Sequence, residues 1–194
     1  KGIIQKPKKL KIIKKSEEIG NPNEQVEISI SRFLPFTPQE KMQRAYLFRI
    51  LMSDLLNERL RTEKGLCYAV STYTQLRADF SEIFMNIMTD EKNIDIVQKE
   101  FWKIIKEIEE GKHKSKFNVL KKVSIEQVKS KELMSEDVAK NAVNDILMYD
   151  NKIIPLFQDI KEMEAVTYND MINFAKETFD PEWTFTEIIL PVRK

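Results

Sequence analysis

Hydrophobic and polar residues alternate over Gln25 to Phe33, with Val26, Ile28 and Ile30 set against Gln25, Glu27, Ser29 and Ser31. That period of two predicts a half-buried strand. Thr37-Pro38-Gln39-Glu40 then opens a helix, with Thr37 as N-cap, Pro38 at the first helical position and Glu40 closing a capping box. The helix is expected to run to about Leu60, and from Ala45 to Leu56 it is apolar on nearly every side. A helix of that kind belongs at the centre of a core. Tyr68 to Leu76 and Phe80 to Met88 read as two strands, rich in β-branched and aromatic residues and joined as a hairpin by Arg77-Ala78-Asp79.

The second half changes period. Asn93 caps a helix with apolar positions Ile94, Val97, Phe101, Ile104, Ile105 and Ile108, ending at Gly111. Ser115 opens a second helix with Phe117, Leu120, Ser124 and Val128 on one face. Ser135-Glu136-Asp137 opens a third, carrying Val138, Ala142, Val143, Ile146 and Tyr149, and Pro155 breaks the pattern. Thr167-Tyr168-Asn169-Asp170 begins the last helix, which stops before Pro181, and Trp183 to Leu190 alternates as a closing strand. At the other end, the alternation in Lys8 to Lys15 suits an exposed edge strand, because lysines oppose edge-to-edge pairing. Hairpins and grouped helices predict an α+β fold in one domain over residues 1–194. The expected architecture is an antiparallel sheet of about five or six strands with helices packed mainly on one face.

Composition narrows the function classes. With 32 basic and 31 acidic residues the formal charge is +1, which gives no global electrostatic case for nucleic-acid or membrane binding. Residues 1–15 hold seven lysines and no acid, but no arginine or aromatic residue interleaves as a nucleic-acid arm would require. At 42% hydrophobic, 194 residues should bury roughly 70% of the unfolded surface. The single Cys67 excludes an intrachain disulfide and is compatible with a reducing compartment. No apolar run reaches the ~18 residues of a membrane span and no signal peptide is visible, so a soluble protein is expected, the cytoplasm favoured. The chain opens on Lys1-Gly2 and not methionine, as a piece of a longer protein would.

Chemistry is sparse. A catalytic zinc typically takes three protein ligands, often with histidines at helical spacing, and His113 is the one histidine present. It reads as a solvated loop residue. No G-x-S-x-G, P-loop or H-E-x-x-H motif occurs, and Cys67 has no histidine base near it in sequence, which makes it a buried small residue. Charged residues read as solvated faces with local pairs such as Lys103 with Glu107, and Glu58 and Glu63 flank Arg61 closely enough to pair with it. One stretch stands apart: Arg61 leaves the end of the apolar helix, Tyr68 starts the next strand, and Gly65 lies between them at a turn that needs positive φ. That arrangement brings a guanidinium and a phenol to one end of the sheet.

The run Leu56-Asn57-Glu58-Arg59-Leu60-Arg61-Thr62-Glu63-Lys64-Gly65-Leu66-Cys67-Tyr68-Ala69-Val70-Ser71 resembles the signature of the non-metal-binding C-terminal domain of insulysin/pitrilysin-type zinc metallopeptidases. The order of elements over roughly residues 8 to 190 is similar to one such domain. Family members often carry glycine or alanine where Cys67 stands here. The resemblance implies a clamshell enzyme whose zinc is held by another domain or subunit, through an H-x-x-E-H helix absent from this chain. It implies further that this domain closes the chamber over an unfolded peptide, with Arg61 and Tyr68 as its substrate-binding residues. The chain alone is then expected to be inactive, with no catalytic or metal-binding residue of its own. Two other readings remain open, a non-catalytic scaffold subunit of the same family and an unrelated module that holds an acidic partner on its lysine-rich first strand.

Overall fold

The computed structural model describes residues 25–34, 39–76, 81–131, 139, 142–143, 146, 156–181 and 184–190. Strand β1 (Val26–Leu34) leads into helix α1 (Gln39–Leu56), followed by a π-helical turn (Asn57–Glu63), β2 (Cys67–Leu76) and β3 (Ser81–Thr89). A short 3₁₀ turn (Glu91–Asn93) opens helix α2 (Ile94–Glu109), and then come α3 (Lys114–Lys131), α4 (Leu156–Ala165), α5 (Tyr168–Thr178) and β4 (Phe185–Ile189). The protein is an α+β domain with a four-stranded antiparallel sheet of order β2-β3-β1-β4 among the described residues. The sequence suggested five or six strands; the extra one expected over Lys8 to Lys15 lies outside the described residues, as do the Thr37-Pro38 helix start and the Arg77-Ala78-Asp79 turn.

Register explains the core. Ile188, Ile28, Ile87 and Val70 fall in one row across all four strands, and Ile30 stands opposite Met85 on the same face. That face joins a single hydrophobic cluster with α1, α2 and α5. Phe48 of α1 sits at its centre, with ring centroids 4.9 Å from Phe174 and 5.4 Å from Phe179, while Phe101 of α2 meets Phe179 at 5.9 Å. Arg32, on the same face of β1, donates from Nε to the carbonyl of Thr178 at 2.8 Å and ties the end of α5 to the sheet. The opposite face is more polar at its middle, where Ser29 donates to Asn86 Oδ1 at 2.7 Å.

Several local expectations are revised. The apolar helix is α-helical only to Leu56 and then widens into the π turn, so that Leu60 stays buried while Arg59 and Arg61 leave on other sides. Asn93 does not cap α2 through its side chain; its amide donates instead to the carbonyl of Leu66 at 3.2 Å. Residues 139, 142, 143 and 146 are helical, but Val143 and Ile146 are exposed and not on the buried stripe their spacing predicted. Thr167 does cap α5, in a capping box with Asp170.

Candidate functional site

The site is built from the turn between α1 and β2. Gly65 adopts φ +59°, which lets the chain reverse out of the π turn without a Cβ penalty. The amide of Leu66 bonds the carbonyl of Leu60 at 2.7 Å, and the amide of Gly65 bonds that of Arg61 at 3.3 Å. The carbonyl of Leu66 in turn accepts from Thr89 and Asn93, so the turn is bolted to the end of β3 and the start of α2. β2 then carries a bulge: Cys67 pairs with Thr89 and Ala69 with Met88, leaving Tyr68 as the extra residue. A bulge re-aims the side chain it inserts. Tyr68 is accordingly 52% exposed, although it lies next to buried Cys67. Its phenol donates to Asp90 Oδ1 at 2.9 Å. That bond to a carboxylate raises the phenol above its ordinary pKa, so the group is a proton donor throughout the neutral range.

Arg61 is exposed on the π turn. Glu58 and Glu63, expected to pair with it, are engaged elsewhere. Glu58 binds Lys116 at 2.7 Å, and Glu63 lies 3.8 Å from Arg59. Among the described residues no carboxylate forms an ion pair with Arg61. Its positive field reaches Cys67, whose thiol is pushed up by burial and drawn down by Arg61, burial prevailing. Cys67 is thus a buried thiol beside the site and not a poised nucleophile.

Sequence reasoning missed the clamp beneath this turn. Arg59 makes a forked pair with Glu107, Nη1 to Oε1 at 3.2 Å and Nη2 to Oε2 at 2.8 Å, and lies 3.5 Å from Glu100. Lys64 completes the link to α2 through Glu100 at 2.7 Å. Glu107 therefore faces Arg59 across two elements, and its expected local pairing with Lys103 gives way to a bidentate geometry that holds both planes. His113 is no solvated loop residue: its side chain is 15% exposed, Nε2 lies 3.1 Å from Glu107 Oε2, and its backbone amide donates to the phenol of Tyr168. No sequence signal marks the links from Arg59 and Lys64 to α2, because those partners lie 36 to 48 residues apart.

The hydrogen bond from Arg59, helped by His113, holds the Glu107 carboxyl below its ordinary 4.5 against the opposing effect of burial. Lys64 chiefly does the same for Glu100. A carboxylate whose pKa falls on folding stabilises the fold above its unfolded value, and that contribution is lost as the pH drops through the folded value. The urea midpoint should therefore fall as the pH is lowered from neutral through the ordinary carboxylate range. Glu107→Gln should flatten that dependence, and an unaltered slope would show that the clamp carries none of it.

A four-stranded antiparallel sheet with this helix order is the fold of M16-like peptidases. The structure aligns with a putative M16-like peptidase from Alicyclobacillus acidocaldarius at TM-score 0.76 and 14% identity, covering 89% of this chain and 42% of that one. A protease from Helicobacter pylori gives 0.74 at 18% identity, covering 87% and 42%. The periplasmic protease PqqL from Escherichia coli gives 0.70 at 14% identity, covering 89% and 20%. The chain thus spans well under half the length of these relatives. No curated protein sequence matches it. The chain belongs to the M16 peptidase family, since residues 2–123 match the family described as Peptidase M16 inactive domain.

The family is zinc-dependent, but the described residues of this domain do not fit the metal. Among the described residues no group of three or more His, Cys, Asp or Glu is placed to hold a metal ion. The one histidine is taken up by Glu107. No described helix is long and apolar enough to cross a membrane.

Proposed function

We propose that this domain is the chamber-closing, substrate-binding C-terminal half of a zinc-dependent endopeptidase, with the metal held by another domain or subunit. The observation that carries this reading is the pairing of two exposed donors on one anchored turn. Arg61 has no ion-pair partner among the described residues, and Tyr68 is turned outward by its bulge. Arg61 binds a carbonyl of an unfolded peptide. Tyr68 exchanges Asp90 for an oxygen near the scissile bond, where a pre-placed donor stabilises developing negative charge. The Arg59–Glu107 clamp supplies the rigidity such donors need, because a donor that must reorganise loses much of its effect.

The test uses the full-length protein. Its zinc content and its cleavage of an unstructured peptide are measured with and without chelator, beside residues 1–194 alone. Chelator-sensitive cleavage by the full-length protein and none by the isolated domain is the expected result. A full-length protein with neither zinc nor cleavage would leave the scaffold role as the better reading.

A further inference from the structure

A groove of about 360 Å³ runs between α1 and β2, lined in part by Gln43, Tyr46, Arg49, Thr72 and Tyr73. β2 is an edge strand among the described residues, so the groove follows a strand edge with no neighbouring strand there. Arg49 is its cation. Nη1 donates to the carbonyl of Thr72 at 3.2 Å, and the guanidinium carbon lies 5.1 Å from the centroid of the Tyr46 ring. A guanidinium has five N–H donors, and one hydrogen bond uses one of them. No carboxylate among the described residues pairs with Arg49. Asp159 accepts from the Gln43 amide at 3.1 Å. Tyr73, 55% exposed, gives the groove an aromatic wall. A half-buried cation of fixed orientation in an open groove is suited to an anion, and its planar fork fits a carboxylate.

We propose that this groove is a specificity subsite for a carboxylate carried by an extended peptide substrate, with Arg49 as the group that recognises it. The proposal rests on Tyr68 meeting the substrate, and it adds a preference to that reading. Thr72 lies four residues beyond Tyr68 on β2, which at about 3.3 Å per residue is roughly 13 Å. A peptide extended alongside β2 therefore presents the carboxylate about four residues from the bond that Tyr68 addresses. An acidic side chain and a free C-terminus offer the same chemistry, and the experiment separates them.

The full-length protein is assayed on one parent peptide carrying Glu or Gln at each of positions two to six from the cleaved bond. A second pair ends there in a free acid or an amide. The Glu peptide should show a KM about fivefold below its Gln counterpart near position four, with kcat little changed. That factor is discounted from a buried charged bond for the openness of the groove. Added salt should narrow the gap. Arg49→Gln should abolish it, and Arg49→Lys should keep part of it at unchanged Tm. If only the free acid is preferred over the amide, the carboxylate is terminal. Equal KM values throughout the series, or a preference that survives Arg49→Gln, overturn the proposal. Anisotropy binding of the same fluorescent peptides reads Arg49 without cleavage, so failure of the peptidase reading is distinguishable from failure of the subsite. Tyr68→Phe should slow all the peptides alike.

Discussion

Tyr68→Phe in the full-length protein should lower kcat/KM on the order of 10²-fold while Tm and zinc content stay as in the parent. The substitution deletes one oxygen and nothing else. The ring remains on the bulge between Cys67 and Ala69, and the bond given up is a single exposed contact with Asp90. A surface hydrogen bond of that kind contributes little to folding, so a rate loss without a stability loss isolates a role in the reaction. The loss should fall mainly in kcat, because a donor aimed at developing charge acts more strongly in the transition state than on bound substrate. An unchanged rate would remove Tyr68 from the mechanism and leave Arg61 alone to justify the substrate-binding reading.

Phe48→Ala should destabilise the domain by about 3–5 kcal/mol, read from urea or thermal unfolding. Phe48 is fully buried and touches both Phe174 and Phe179, so it joins α1 to the end of α5. Its removal deletes apolar surface and leaves a cavity whose walls belong to different elements. The same variant tests how the site depends on the core, since α1 delivers the π turn that carries Arg59 and Arg61. A loss below about 1 kcal/mol, within the ordinary range of single substitutions, would mean that the surrounding rings close the space and that α1 is not the hub of the packing.

Much of the frame was legible because local periodicity and burial agree. The alternation of Val26, Ile28 and Ile30 matches the buried face of β1, and the stripe Val97, Phe101, Ile104, Ile105 and Ile108 is the buried stripe of α2. The Tyr68 to Leu76 and Phe80 to Met88 runs correspond to the β2–β3 hairpin, and Gly65 has the positive φ its place in the turn required. Val143 and Ile146 fail for a plain reason: apolar spacing shows which residues share a helix face, and not whether anything packs against that face. The end of α1 was equally hard to read, because Leu60 is apolar and suitably spaced whether the turn is α or π.

By itself the sequence determined the α+β class, the elements that build the core, the family signature around Arg61 and Tyr68, and the scarcity of metal ligands. These follow from short-range order, in which period, turn residues and residue chemistry each act within a few positions. Tertiary structure alone decided the partners. It set Arg59 against Glu107, engaged His113, turned Tyr68 outward on a bulge beside Asp90, and left Arg49 facing an open groove. Ion pairs and hydrogen bonds act over a few ångströms in space, so which charges meet depends on how α2, β2 and the π turn dock, and spacing along the chain does not encode that.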